Sequence, residues 1–250
     1  MSLYIISDLH IWGPDDPLYY SLISILRNRT RSGDTLVLAG DIFDFFVGDK
    51  AVLKDRYSGF ISELRLAGSR GVKTHYIEGN HDFLLKKTFG EVSGLEVHPS
   101  EVRFQIAGKS FLVAHGDLAD KSDHGYRMLR GFFRSPLIRA FVRLAPGNWV
   151  DAIGKKSSET SRKKNPRLPT SLSTERIVQL RKTYRNYAAE RLTQGYDYIV
   201  MGHCHDLDEM KFTIGERSAQ YINVGYPRSH GSFLSWNPGD EVIQREAIPT

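Results

Sequence analysis

A single cysteine, Cys204, stands in a chain of 250 residues, so no internal disulfide is available, which fits a reducing compartment. No apolar run approaches the roughly 20 residues that a membrane-spanning helix requires. The opening segment carries Asp8 and His10 instead of a basic start and a long apolar core, which argues against an export signal. Low-complexity tracts and internal repeats are missing as well, so disordered and solenoid classes drop out. What is left is a globular protein, expected in the cytoplasm and long enough for one α/β domain.

Charge is present but unevenly placed. The net value is +5, yet residues 121–170 alone hold twelve Lys and Arg against Asp123, Asp151 and Glu159, so the remainder is net acidic. A basic segment of this kind suits an anionic membrane surface, a phosphorylated substrate or nucleic acid.

Apolar runs recur along the chain and end in the same kinds of residue. Residues 3–6 form a β-type run that delivers Asp8 and His10, which point to one side when extended. Leu18, Leu22, Ile25 and Leu26 recur at helical spacing, as do Leu53, Tyr57, Phe60, Ile61 and Leu64. Between these helices the run 35–39 ends in Gly40-Asp41, and after them the run near Tyr76 and Ile77 ends in Gly79-Asn80-His81-Asp82, where glycine is expected to allow a sharp turn. Strands alternating with helices imply a parallel core whose site lies at the carboxyl ends of the strands.

Beyond residue 96 the spacing changes. Residues 102–106 and 110–114, joined at Gly108-Lys109, read as a hairpin ending in His115-Gly116-Asp117. From Tyr126 to Ile153 aromatic and aliphatic residues interleave with Arg127, Arg130, Arg134, Arg139 and Arg143, and Pro136 and Pro146 divide the segment into short helices. A polar stretch, 155–170, precedes a helix carrying Ile177, Leu180, Tyr184, Ala188 and Leu192 that stops at Gly195. Residues 121–172 therefore read as a helical cap inserted in a single domain, 1–250. Its apolar residues, interleaved with arginines, suit a surface that must hold acyl chains and rest on an anionic bilayer, with a core of the cap's own as the lesser alternative. The strand 198–201 delivers Gly202-His203-Cys204-His205, and a β tail through 221–224 and 233–236 completes a second sheet.

Asp8, His10, Asp41, Asn80, His115, His203 and His205 form an oxygen and nitrogen donor set that suits Mn²⁺, Fe²⁺ or Zn²⁺. Seven donors exceed one ion's need, so two divalent ions sharing Asp41 are expected. Two such ions clamp the attacking and leaving oxygens of a phosphoryl group and lower the pKa of water. His81 is placed to stabilise phosphoryl charge or to protonate a leaving oxygen, with Asp82 orienting it. Asp44 reads as support, and Cys204 as a small apolar filler. His75, His98 and His230 fall outside these motifs and carry no assignment.

In order, Asp8-x-His10, Gly40-Asp41-x-x-Asp44, Gly79-Asn80-His81-Asp82, His115-Gly116-Asp117 and Gly202-His203-x-His205 resemble the calcineurin-like metallophosphoesterase family. The resemblance implies two mixed β-sheets in a sandwich flanked by helices. It implies one metal held by Asp8, His10, Asp41 and His205, and another by Asp41, Asn80, His115 and His203. A narrower resemblance, to the UDP-2,3-diacylglucosamine pyrophosphohydrolases of lipid A synthesis, rests on residues 79–87, on His115-Gly116-Asp117 leading to Asp123, Gly125, Tyr126 and Arg130, and on residues 157–164. It implies cleavage of a lipid-linked sugar nucleotide at the inner membrane into a lipid sugar monophosphate and UMP. It also implies Asp123, Tyr126, Arg130, Ser157 and Lys164 as substrate contacts. The chain departs from the best-known members at His81, where they carry Arg, and the alternative is another phosphodiester, nucleotide or nucleic acid. The apolar bias of residues 126–144 disfavours nucleic acid.

Overall fold

The computed structural model describes residues 1–164 and 173–249. Strand β1 (Leu3–Ile6) leads to α1 (Pro17–Ser24), which Asp16 caps and Pro17 opens, and which runs on as a π-helical turn, Ile25–Arg29. Next come β2 (Thr35–Leu38), the two-residue β3 (Phe46–Val47), α2 (Ala51–Arg56) and α3 (Ser58–Ser69). Periodicity predicts one helix through Leu53 and Leu64, but Tyr57, at φ −110° and ψ 27°, divides it. The chain continues through β4 (Lys73–Ile77), β5 (Asp82–Phe83), α4 (Lys86–Phe89), β6 (Leu95–His98) and the hairpin β7 (Glu101–Ile106) and β8 (Lys109–Ala114). Helices α5 (His124–Phe133), α6 (Pro136–Leu144) and α7 (Gly147–Lys164) follow, then α8 (Thr174–Leu192). The breaks fall at the two prolines, with Pro136 opening α6 behind its Ser135 cap. The polar stretch from residue 155 departs from expectation, because α7 continues through it to Lys164. The chain closes with β9 (Tyr198–Met201), β10 (Glu209–Ile214), β11 (Arg217–Asn223), α9 (Pro227–His230), β12 (Ser232–Trp236) and β13 (Gln244–Ala247).

Two mixed sheets result. One runs β13-β12-β1-β2-β4-β6, parallel from β1 to β6, and the other runs β10-β11-β9-β8-β7, parallel across its three middle strands. Alternation along the strands explains why they stack. Leu3, Ile5 and Val37 of the first sheet meet Phe111, Val113 and Val200 of the second, while Ile6, Leu36 and Leu38 turn outward to α1 and α3. On the far side Leu112, Ala114, Ile199 and Met201 pack under Tyr184, Ala188 and Leu192 of α8. The architecture is a helix-flanked sandwich, and the parallel strands end along one rim.

Helices α5 to α7 obey a different rule. Among their apolar residues Val142 and Val150 are buried, whereas Met128, Leu137 and Leu144 are 77%, 72% and 82% exposed. These apolar side chains do not form a core of their own. The segment is tied down by polar bonds instead: Arg56 meets Asp151 at 2.7 and 2.6 Å, and Lys50 Nζ donates to the carbonyls of Arg143 (3.2 Å) and Ala145 (2.6 Å).

Candidate metal centre

The loops that leave the parallel strands hold an unusual backbone. Among the described residues seven non-glycine residues have positive φ, and five of them are Asp8 (55°), His10 (47°), Asp41 (52°), His203 (68°) and His205 (58°). L-residues adopt this left-handed region at a cost, so its concentration here marks loops bent to aim side chains. Backbone bonds fix the bends, with Asp8 N on Gly40 O (3.1 Å) and His10 N on Asp41 O (3.0 Å). Glycines make room for the result. A Cβ at Gly79 would stand 2.2 Å from Asp41 Oδ1, one at Gly202 would stand 2.1 Å from Asp8 Oδ2, and one at Gly40 would stand 2.6 Å from His115 Nδ1. The chain does turn tightly at Gly79, whose N–H meets Asp82 O at 3.1 Å, and without a left-handed φ the reason for glycine there is the close approach of a carboxylate.

All seven expected donors converge. Asp8 Oδ1 lies 3.3 Å from His205 Nε2, itself 3.1 Å from His10 Nε2. Asp41 Oδ2 lies 3.7 Å from His10 Nε2 and 3.5 Å from His115 Nε2. His115 Nε2 in turn is 3.2 Å from both Asn80 Oδ1 and His203 Nδ1. Asp41 thus stands between two donor groups, one with Asp8, His10 and His205, the other with Asn80, His115 and His203.

Protonation fits a cationic occupant. His115 Nδ1 lies 3.0 Å from Ala39 O, which can only accept, so Nδ1 carries a proton and Nε2 faces the centre. Burial would raise the Asp41 carboxyl, but His115, then His81 and His10, hold it well below the usual range. Burial would depress His115, yet Asp41 raises it to about 10, so a proton is drawn to where a cation would stand. Burial, and then the charge on His115, pull His203 down to about 4. Four imidazoles, two carboxylates and an amide oxygen are a donor set for borderline divalent ions. Cys204 is no part of it, because burial keeps its thiol protonated and Asn223 Nδ2 donates to Sγ at 3.1 Å.

Asp82 does not orient His81. Its Oδ1 accepts from Asp41 N (2.9 Å) and Gly79 N (3.0 Å), and its Oδ2 from Ile42 N (2.8 Å) and Tyr76 Oη (2.8 Å). It fastens two loops together beneath the site, where burial and then the Asp41 charge raise its pKa to about 7. His81 is oriented by Asp44, whose carbonyl takes Nδ1–H at 2.8 Å and leaves Nε2 for the cleft. The Asp44 carboxylate also lies 3.8 Å from His10 Nδ1, in keeping with a supporting position.

The sequence profile of the calcineurin-like phosphoesterases matches residues 1–207. The chain belongs to this family. It is accordingly a hydrolase of phosphoric esters or anhydrides that works with divalent metal ions. A UDP-2,3-diacylglucosamine hydrolase of Pectobacterium carotovorum subsp. carotovorum (strain PC1) is 26% identical over 238 residues, covering 95% of this chain and 96% of its own. One of Nitrosococcus oceani is 27% identical over 238 residues, covering 95% and 92%. One of Photorhabdus laumondii subsp. laumondii is 28% identical over 205 residues, covering 82% of each.

In this phosphoesterase a cleft of about 270 Å³ opens beside Asn80 and His81 and runs under α5 and α7. Tyr126 and Arg130 line it, both held by Asp117, which accepts from Tyr126 Oη (2.7 Å) and Arg130 Nε (2.6 Å). Ser157 lines it too. Asp123 does not, because its carboxylate accepts from Tyr126 N at 2.8 Å and caps α5. The Lys164 side chain lies outside the described residues. Arg134 was not singled out from the sequence, yet its Nη2 donates to Gly79 O at 2.9 Å and its guanidinium covers Phe83 at 5.3 Å. Burial, and then the neighbouring Arg130 charge, lower its pKa, a tension that an anionic ligand relieves. No signal marked Arg134 among its interleaved neighbours, since its partner lies 55 residues away.

Proposed function

We propose that the protein hydrolyses the pyrophosphate of UDP-2,3-diacylglucosamine, yielding 2,3-diacylglucosamine 1-phosphate and UMP in lipid A biosynthesis. The observation that carries the reading is the mixed lining of one cleft. Asn80, His81, Arg130 and Arg134 line it together with the apolar Phe83, Leu129, Phe133 and Ile153. A phosphorylated head with an apolar body suits such a lining. The names of the relatives support the same substrate.

Residues 1–250 act as one domain with residues 121–172 as its cap. Asp8, His10, Asp41 and His205 would hold one ion and Asp41, Asn80, His115 and His203 a second, Mn²⁺ by preference, with Fe²⁺ or Zn²⁺ as alternatives. When bound, the ions supply electrophilic polarisation of a phosphoryl oxygen and acidify water. The chain's own residues do the rest. His81, with its proton fixed on Nδ1 by Asp44 O, presents Nε2 to the scissile region. Arg130 and Arg134 neutralise pyrophosphate charge, and Tyr126 and Asp117 hold Arg130 in place. The exposed apolar and basic faces of α5 to α7 rest on the anionic inner membrane from the cytoplasmic side, so that acyl chains enter the cleft without crossing water.

UMP release from a UDP-diacylglucosamine with Mn²⁺, compared with hydrolysis of an aryl phosphodiester, tests this. A turnover advantage for the lipid substrate is expected. Equal or better turnover of the aryl diester would favour the second reading, a phosphoesterase for another phosphodiester or nucleotide, to which His81 in place of Arg points.

A further inference from the structure

At the free edge of the six-stranded sheet, away from the strand ends, His75 of β4 and Glu96 and His98 of β6 bring three ligating atoms within 4.8 Å of one another. The strands are parallel, with His75 opposite Glu96 and Ile77 opposite His98. Opposed residues and residues two apart share a face, so the three side chains leave the sheet together. That face is the one turned toward the second sheet, where Ile77 joins the inter-sheet core. Because β6 is the last strand, the cluster opens to a groove of about 480 Å³ bordered by Lys73 and Phe104.

The geometry is that of a ligand set. His75 Nδ1 and His98 Nε2 stand 3.1 Å apart, and Glu96 Oε2 lies 4.0 and 3.8 Å from them. The carboxylate stands just beyond hydrogen-bonding distance of either ring. Around tetrahedral Zn²⁺ with bonds of about 2.0–2.1 Å, neighbouring donor atoms are roughly 3.3 Å apart. The two imidazoles already have that spacing. Rotation of the Glu96 side chain, 73% exposed, closes the remaining edges. The His75 ring is held for the purpose, stacked on Phe104 (5.5 Å, 10°), which stacks on Phe111 (5.5 Å, 12°), which stacks on Tyr198 (4.7 Å, 16°). One ring nitrogen donates to the other across the 3.1 Å gap, and a cation there takes the place of that shared proton.

We propose that His75, Glu96 and His98 form a Zn²⁺ site distinct from the strand-end centre, with its fourth position open to water. Two imidazoles and one carboxylate suit Zn²⁺ and offer too few oxygens for Ca²⁺ or Mg²⁺. A cation bound there cross-links β4 to the edge strand and stabilises the folded chain by mass action.

The full-length protein, stripped with a chelator and titrated with Zn²⁺ against a chromogenic chelator, tests the site alongside His98→Ala and Glu96→Gln. The wild type is expected to bind one equivalent more than His98→Ala, with the Mn²⁺-supported hydrolysis of an aryl phosphodiester unchanged between them. Glu96→Gln is expected to weaken that one equivalent by at least about tenfold. Equal stoichiometry and affinity in the wild type and a folded His98→Ala overturns the proposal. Should His98→Ala fail to fold, the exposed Glu96 position decides alone, and unchanged affinity in Glu96→Gln overturns it.

Discussion

His81 and Asp41 sit side by side, with His81 N donating to Asp41 Oδ1 at 2.9 Å, yet they are expected to fail differently when altered. Asp41→Ala removes the oxygen that faces both donor groups, so bound metal and turnover should disappear together while circular dichroism stays native. His81→Ala leaves all seven donors in place. It should lower kcat by about 10²-fold with metal content unchanged, as loss of one charge-stabilising group does. Metal analysis beside kinetics separates the two, and a His81→Ala enzyme of wild-type rate would remove His81 from the chemistry. The convergence of the seven side chains was legible because each follows an apolar run. The work of Asp82 was not, because three of its four partners are main-chain N–H groups, two of them about forty residues earlier in the chain.

At the scale of elements, the attachment of α7 to α2 carries a pH dependence. Burial raises the Asp151 carboxyl, but bonds from Arg56 and then Lys155 bring it below its ordinary value of 3.8. With the folded pKa below the unfolded one, the contribution of this pair is fully present above that ordinary value and is lost as pH falls through the folded one. Asp151→Asn should therefore cost about 1–3 kcal/mol at neutral pH, read by denaturant melts, and the gap to the wild type should narrow in acid. Element recognition from sequence succeeded where a face is buried, as in α1, α3 and α8. It missed the continuation of α7 beyond residue 155, because a run polar on all sides has no period to detect. Strands β3 and β5, two residues each, are too short to show alternation. The edge strand β10 lies partly in water on both faces, and its pattern is correspondingly faint.

For the whole molecule, the basic excess and the exposed apolar side chains coincide on α5 to α7, and among the described residues no helix is long and apolar enough to cross a membrane. Binding to phosphatidylglycerol-containing vesicles should exceed binding to phosphatidylcholine vesicles. It should weaken as salt rises from about 0.1 to 1 M and the Debye length falls from about 10 to 3 Å. Leu144→Asp should reduce that binding by about tenfold or more and leave the melting temperature unchanged, because the side chain it replaces is 82% exposed. Co-sedimentation and thermal melts check both halves. The parallel half of the sandwich could be read from its alternating strands and helices. The pairing of β8 with β9 could not, since more than eighty residues separate them.

The left-handed backbone at Asp8, His10, Asp41, His203 and His205 sets the conditions under which this site can persist. At about 1 kcal/mol or more per position, the five together approach the entire net stability of an ordinary domain, roughly 5–15 kcal/mol. What holds the loops bent is main-chain bonding, from Asp8 N to Gly40 O and from His10 N to Asp41 O, together with the bonds that the Asp82 carboxylate takes from Asp41 N and Ile42 N. The rim is therefore shaped before any ligand arrives, and the sandwich gives up part of its own stability to keep it so.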